Sequence, residues 1–258
     1  ANLISDHLER EKPAALPDTT LKTQTAYVGP NKGEEIISHV DVYRLGTTSV
    51  DNRTTYYYYA SSGNMYAPAS DTVIGSRLTR TVTRHGTNAT DSLKQISFYT
   101  GYEKGEETIY WSQEYNGSGT KRKSITFYEY GTGLYDDCLR EVKTYEAEAP
   151  TDEDEQLNYT NYIRPTLADT SKKTHTYYVG NLKGNEMIDY ADNYRAGTTT
   201  VDTRTTYYYY ESADQQFAGA SASLVDSYLT KTVTRRGTGV SDPLKQISFF
   251  KVQEKGEE

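Results

Sequence analysis

The stretch "RTTYYYY" occupies residues 53–59 and returns letter for letter at residues 204–210. In a β-strand, successive side chains point to opposite faces, so at most two of four consecutive rings enter any one core. The runs are Tyr56, Tyr57, Tyr58 and Tyr59, and Tyr207, Tyr208, Tyr209 and Tyr210. We therefore predict strands that are covered by protein on both faces.

The composition favours strands over helices. The 258 residues include 26 tyrosines and carry a net charge of −8, whereas Leu, Ile, Val and Phe together make up only about 17%. Tyrosine and threonine fill the gap, and both are enriched in strands. We predict an all-β chain that relies on aromatic rings for much of its buried area.

Several classes of protein are disfavoured by the sequence. A single cysteine, Cys138, allows no internal disulfide, and no Cys/His spacing is typical of zinc or haem, so we expect no cofactor and no metal site. The chain lacks the roughly 18 consecutive apolar residues of a membrane span and the pattern of a signal peptide. The four histidines form no catalytic constellation, so we expect no enzyme; they are His7, His39, His85 and His175.

The chain is a tandem duplication. "GTTSVDNRTTYYYY" at residues 46–59 and "GTTTVDTRTTYYYY" at residues 197–210 agree at 12 of 14 positions, with an offset of 151 residues. Lys-Gly pairs at residues 32, 104, 183 and 255 divide each double unit into two half-units. Because the chain begins and ends inside this pattern, we interpret it as part of a longer polypeptide.

We predict that each half-unit forms four strands in two successive hairpins. The first two strands are joined by links that begin and end in glycine, "GPNKG", "GYEKG" and "GNLKG", whose last residues are Gly33, Gly105 and Gly184. The predicted division is a spacer (1–23), half-unit 1 (24–97), half-unit 2 (98–145), an acidic spacer (146–170), half-unit 3 (171–248) and the start of half-unit 4 (249–258).

The strand "RLTRTVTR" has no uniformly apolar face. Its threonines share one face, Thr79, Thr81 and Thr83, and its Leu, Arg and Val side chains share the other, Leu78, Arg80, Val82 and Arg84. Such a strand gains most beside copies of itself, where side chains pair across strands. We therefore predict tandem hairpins in an elongated, solenoid-like or shell-like array that each neighbour stabilises.

The tyrosine hairpins resemble a known repeat family. "RTTYYYYASSG" with "SRL" downstream, and "SITFYEYGTGLYDD", are similar to rearrangement-hotspot (RHS) or tyrosine-aspartate (YD) repeats, of the form Tyr-x-Tyr-Asp-x-x-Gly-Arg-Leu. The matching residues are Tyr57, Tyr59, Tyr128, Tyr130, Gly63, Arg77 and Leu78, whereas Ala60, Gly131 and Glu211 stand in place of Asp. The resemblance implies a large secreted or surface protein built as β-sheet, with any chemistry elsewhere in the polypeptide.

Other candidate sites each have a structural alternative. Cys138 is either a buried structural thiol or a reactive one, and the acidic run at residues 152–155 is either a solvated spacer or a weak calcium site. We interpret the "KGEE" elements as turns with a local Lys/Glu pair. The sequons at Asn52, Asn88, Asn116 and Asn158 are either glycan acceptors or chance matches.

Basic residues interleave with the tyrosines, namely Arg80, Arg84, Lys231 and Arg235. This pattern fits a packed ladder of rings or a glycan-binding platform, and the negative net charge disfavours nucleic acid. The leading hypothesis is a structural segment of an extracellular or cell-surface repeat protein, with identical repeats or identical chains as partners. The alternatives are a carbohydrate-binding adhesin stalk and an RHS-like shell. We also expect the segment to be unstable when it is separated from its polymer.

Overall fold

A computed structural model describes residues 21–60, 66–132, 137–147, 164–212, 215–224 and 226–251. Within them, helix is limited to three 3-10 turns, Asp71–Val73, Asp169–Ser171 and Ala222–Leu224, and no helix is long and apolar enough to cross a membrane. The strands are β1 (Thr23–Val28), β2 (Ile36–Tyr43), β3 (Val50–Tyr58), β4 (Ala67–Pro68), β5 (Leu78–His85), β6 (Leu93–Thr100), β7 (Thr108–Tyr115), β8 (Arg122–Tyr130), β9 (Leu139–Glu146), β10 (Lys172–Val179), β11 (Met187–Tyr194), β12 (Val201–Tyr209), β13 (Ala218–Gly219), β14 (Leu229–Arg236) and β15 (Leu244–Phe249).

All of these strands belong to one antiparallel sheet. Its order is β1-β2-β3-β5-β6-β7-β8-β9-β10-β11-β12-β14-β15, and the two-residue strands β4 and β13 pair with β3 and β12 beside this path. Each strand on the path lies next to the path strand that precedes it along the chain. The prediction of an all-β chain of tandem antiparallel hairpins is confirmed, with the hairpins joined edge to edge.

The two copies of the repeat share their pairing in detail. Thr25 lies opposite Val40 in the first copy, and Thr176 lies opposite Ala191 in the second, a shift of 151 residues on both strands. The bulge between Ala26 and Tyr27 recurs between Tyr177 and Tyr178. Near-identical sequences thus give the same register and the same irregularities.

The predicted half-unit boundaries need correction. β6 begins at Leu93 and β15 at Leu244, so boundaries at 97/98 and 248/249 fall inside strands. These boundaries were placed from the Lys-Gly turns, and each Lys-Gly turn lies between the first and second strands of its unit. Neighbouring units are separated by the turn that precedes the first strand. β9 also continues to Glu146, inside the predicted acidic spacer. Residues 1–20 and 148–163, which hold His7, the run 152–155 and Asn158, lie outside the described residues.

The tyrosine run packs on both faces of the sheet. Tyr58 is buried on one side, and Tyr56 packs against the same cluster, which contains Ile36, Ala67 and Val73. Tyr57 packs on the other side against the largest core cluster, which consists of Val82, Leu93, Ile96, Phe98, Trp111, Tyr115, Ile125, Phe127 and Tyr145. Tyr209 and Tyr207 repeat the first arrangement with Met187, Ala218 and Leu224.

The fourth tyrosine of each run follows the last residue of its strand and is partly exposed. The Arg77 guanidinium lies 5.1 Å from the centroid of the Tyr59 ring. In the second copy, Tyr228 replaces this arginine and stacks on Tyr210 at 5.0 Å. The substitution keeps a planar group over the ring.

Threonines pair across strands as the composition suggests. The hydroxyls of Thr54 and Thr83 lie 2.9 Å apart, and the equivalent pair, Thr205 and Thr234, repeats this distance. The Thr79 hydroxyl donates to the carbonyl of Tyr57 at 3.0 Å, and Thr81 lies 3.5 Å from the hydroxyl of Tyr99. These contacts satisfy polar groups on a face that has few aliphatic side chains.

Candidate functional site: an open edge and its buried counterpart

One sequence occupies two strands of the sheet. "LKQISF" forms both β6, at residues 93–98, and β15, at residues 244–249. β6 lies between β5 and β7, whereas β15 is paired only with β14 in the part of the chain that the structure describes. The two strands are thus a matched pair that differs in one neighbour.

The missing neighbour changes burial. Ile96 and Phe98 are 0% and 2% exposed, whereas Ile247 and Phe249 are 43% and 67% exposed. Leu93 is likewise buried and its counterpart Leu244 is exposed. Because the side facing β5 or β14 is nearly the same in both copies, the difference comes from β7 and the strands beyond it.

β7 covers β6 chiefly through one tryptophan. The indole of Trp111 stacks on the Phe98 ring with 4.1 Å between centroids and 13° between planes. The turn after β7 closes over the start of β6, where a Cβ on Gly119 would lie 2.4 Å from the amide nitrogen of Leu93. Gly119 also has φ +71°, so the close approach and the backbone conformation both require glycine there.

A cation lies between two aromatic rings beside each copy of the strand. The Arg80 guanidinium lies 4.4 Å from the Tyr57 centroid and 4.3 Å from that of Tyr66, whose edge meets Phe98. Stacking of this kind stabilises a partly buried cation by about 0.5–2 kcal/mol.

In the second copy, Lys231 takes the same position between Tyr208 at 4.2 Å and Phe217 at 4.4 Å. Phe217 meets Phe249 edge to face at 5.9 Å. The rings of Tyr208 and Phe217 thus form an aromatic wall beside β15.

The two other basic residues singled out in the sequence have local partners. The Arg84 guanidinium donates to the carbonyl of Asp91 at 2.6 Å, and Arg235 donates to that of Asp242 at 2.9 Å. Both hold the turn that follows their own strand. The sequence therefore identified four basic residues of which two, Arg80 and Lys231, lie against tyrosine rings.

Comparison with protein-family models, with curated proteins and with solved structures finds no match.

Glutamates join neighbouring half-units. The Glu107 carboxylate accepts from Gly105 N at 2.8 Å within its own turn and from Leu78 N, at the start of β5, at 2.7 Å. Glu186 repeats this with Gly184 N at 2.8 Å and Leu139 N at 2.9 Å. We call Glu107 and Glu186 the bridging glutamates.

The first turn keeps only the local part of this arrangement in the described residues, with Gly33 N donating to Glu35 at 2.5 Å. Gly33, Gly105 and Gly184 have positive φ angles of +91°, +90° and +84°. These elements form turns, as interpreted from the sequence, and the carboxylates of Glu35, Glu107 and Glu186 bind backbone amides within them. The signal in the sequence for these amide contacts is the glutamate that ends each of the segments 32–35 ("KGEE"), 104–107 ("KGEE") and 183–186 ("KGNE").

Arginines add a second link at the same places. Arg77 donates to the carbonyl of Gly101, and Arg140 donates to that of Gly180 at 2.6 Å. The second and third of these hairpin turns are thereby tied, through their first glycines, to the start of the last strand of the preceding half-unit. The register of the sheet is fixed by polar contacts at one end of these strands.

A polar and aromatic cluster lies where β9 meets β10. His175 Nε2 lies 3.0 Å from Glu141 Oε2, and the His175 ring stacks on Tyr177 at 3.9 Å. Burial lowers the pKa of His175 below its ordinary value. Although burial opposes it, hydrogen bonds from Lys143 and His175 lower the pKa of the Glu141 carboxyl. Burial thus favours the neutral imidazole, whereas the neighbouring carboxylate opposes this effect.

Each copy of the repeat has an Arg–Asp ion pair between two neighbouring strands. Arg204 binds Asp192 through Nε and a terminal nitrogen, at 2.7 and 2.8 Å, and its guanidinium lies 4.0 Å from the Tyr190 centroid. Arg53 and Asp41 repeat the pair with two contacts of 2.7 Å. Hydrogen bonding to Arg53 lowers the pKa of the Asp41 carboxyl.

The remaining histidines and the cysteine are dispersed. His39 lies in β2 and His85 at the exposed end of β5, apart from His175. Cys138 is buried and free. Tyr130 pairs with Leu139 as Tyr58 pairs with Leu78, so Cys138 lies one residue before the counterpart of Leu78. Among the described residues, no group of three His, Cys, Asp or Glu side chains is placed to hold a metal.

The sequons differ in accessibility. Asn52 is buried, which is incompatible with an attached glycan in the folded sheet. Asn116 caps its own turn, because its Oδ1 accepts from Thr120 N at 3.0 Å and Lys121 N at 3.2 Å. Asn88 is exposed in the turn after β5. Of the described sequons, Asn88 therefore fits a glycan acceptor best.

Proposed function

We propose that this chain is a structural segment of a large extracellular or cell-surface repeat protein, in which Tyr/Thr-rich hairpins extend one sheet into a fibre, tube or wall. The observation that supports this most is the exposure of Phe249 next to the burial of Phe98 in an identical strand. A half-unit of this kind completes its core only when the next half-unit pairs with it.

The opposite edge supports the same proposal. Tyr27 in β1 is 61% exposed, whereas its counterpart Tyr178 in β10, which is covered by β9, is partly buried. Among the residues within 21–251 that the structure describes, both ends of the strand path therefore present surfaces that are covered at the equivalent internal positions. Open edges of this kind favour pairing with further strands of the same type.

The resemblance to RHS or YD repeats suggests a related alternative, a shell around a cargo. Its support is the uninterrupted succession of hairpins along the path. A glycan-binding stalk has less support, since the Tyr57 ring is already covered by Arg80 and the Tyr208 ring by Lys231. The proposal assigns no catalysis to this segment, and its partners are identical repeats or identical chains.

A length series tests the proposal. Chains with one, two or three extra copies of residues 24–174 add eight path strands per copy, or roughly 38 Å of sheet at about 4.8 Å per strand. We expect the maximum dimension from small-angle X-ray scattering to grow linearly and the urea midpoint to rise with copy number. A matched series with Ile96→Lys in every added copy controls for added mass. Flexible, bead-like scattering with a constant midpoint would contradict the proposal.

A further inference from the structure

We infer that β15 is an acceptor for one antiparallel strand of the β7 type, which lays an aromatic side chain, preferably tryptophan, on Phe249. This inference rests on the proposed function and specifies the partner of one edge. It identifies an interaction surface formed by β15 together with Phe217 and Lys231. The occupant is an unpaired strand with the pattern Trp-Ser-Gln-Glu.

The backbone of β15 is ready for a partner. Its residues pair with β14 in the same register in which β6 pairs with β5: Ile247 lies opposite Val233 as Ile96 lies opposite Val82. The other edge of β6 is filled by β7, and the described residues place nothing there for β15. Addition of a strand to such an edge supplies main-chain hydrogen bonds without altering the acceptor.

The pattern of the partner follows from the β6–β7 register. Phe98 lies opposite Trp111, and the next pairs are Ser97 with Ser112, Ile96 with Gln113, and Gln95 with Glu114. Every β6 residue of this set has an identical counterpart in β15, namely Gln246, Ile247, Ser248 and Phe249. The same acceptor surface therefore selects the same donor side chains.

The side-chain wall for the tryptophan is already built. Phe217 meets Phe249 edge to face, as Tyr66 meets Phe98. Lys231 occupies the position of Arg80 between its two rings. Among the described residues, no ring covers the far side of Phe249, and that phenylalanine is 67% exposed.

A folded second copy does not provide this strand. Its own β7 lies between β6 and β8, so both of its edges are used. Its free edge is that of β1, which corresponds to the edge of β10 that pairs with β9. A β15–β1 contact would thus match neither of the interfaces that the repeat builds. The proposed donor is an unpaired strand of the same polypeptide, and a donor strand from another molecule is an outcome that the test distinguishes.

The test uses the full chain and a dye-labelled peptide of residues 106–131, which carries the β7–β8 hairpin sequence. We expect saturable 1:1 binding by fluorescence anisotropy and new protection of amides 244–251 in hydrogen exchange. The Trp111→Ala peptide should bind about tenfold more weakly, because stacked aromatic pairs contribute on that scale. In a second arm, the same sequence is fused after residue 251, which tests a donor in the same polypeptide.

The protein variants are matched in charge. Ile247→Lys places a lysine on the acceptor surface and should abolish binding, whereas Val240→Lys adds the same charge to the preceding exposed turn and should leave it intact. The inference is overturned if amides 244–251 gain protection in neither arm. It is also overturned if the Trp111→Ala peptide binds with the same affinity as the unsubstituted peptide. If the peptide test fails but the length series grows linearly, the proposed function stands and only this inference is lost. If the peptide binds but the maximum dimension does not grow with copy number, only the proposed function is lost.

Discussion

Phe98 and Phe249 occupy the same position of the repeat, 151 residues apart, and only Phe98 has an indole stacked on its ring. The two phenylalanines lie opposite equivalent but different cations on the preceding strand, Arg80 and Lys231, and beside nearly the same aromatic wall. The contributions of the two side chains to the free energy of unfolding should therefore differ by the part that comes from the covering strand β7.

Alanine at the two positions should separate this contribution. We expect Phe98→Ala to lower the free energy of unfolding by about 3–5 kcal/mol, because it opens a cavity in the largest core cluster. Phe249→Ala should cost less than about 1 kcal/mol, as for most exposed sites. Urea denaturation of both variants measures the difference. Equal losses would show that the covering strand does not determine burial energy.

The bridging glutamates should matter more than their counterpart in the first turn. Glu107→Ala removes acceptors for Leu78 N and Gly105 N, and the stranded amides should cost about 1–3 kcal/mol. Glu35→Ala removes the local bond alone and should cost less than half as much. The comparison is made by urea denaturation. The link between units would be refuted if the Glu35 variant lost as much stability as the Glu107 variant.

The Arg204–Asp192 pair should contribute measurably to stability. Asp192 is nearly fully buried and receives two hydrogen bonds from the guanidinium, so Asp192→Ala should cost about 1.5–3 kcal/mol. The exposed pair of Asp202 with Arg195, 3.9 Å apart, is the control, and Asp202→Ala should stay within about 0.5 kcal/mol of the parent. Thermal and urea unfolding check both. A neutral Asp192 variant would contradict the prediction.

Stability should fall as the pH drops below about 6.5. Burial holds the pKa of His175 below that ordinary value, so the unfolded chain takes up a proton at His175 before the folded chain does. Besides Glu141, the charged groups that affect this pKa are Lys143 and Lys172, which lower it further. The free energy of unfolding is thus highest above pH 6.5 and decreases toward pH 5.

His175→Gln, which introduces the residue found at the equivalent Gln24, should flatten the decrease between pH 7 and 5. His85→Arg, which introduces the residue found at the equivalent Arg236, changes an exposed histidine and should leave the decrease intact. Urea titrations at each pH decide the matter. An unchanged slope in the Gln variant would assign the pH dependence to another group.

The sequence predicted the strands well because its periodicity and glycine links are local signals. Tyr56 and Tyr57 were placed on opposite faces by alternation alone. The unit boundaries were misplaced because Lys-Gly turns are conspicuous, whereas the separating turns before Leu93 and Leu244 are not. The bridging role of Glu107 depends on the spatial approach of β5, which no sequence spacing encodes.

The order of the strands along the sheet has a consequence for how the molecule is made. Since every strand on the path pairs with the path strand synthesised just before it, contacts stay short in sequence and no late segment is needed to close an early one. The sheet can therefore form progressively as the polypeptide leaves the ribosome, with only the newest hairpin incomplete. An interrupted chain would leave its last strand without the partner that the next hairpin supplies.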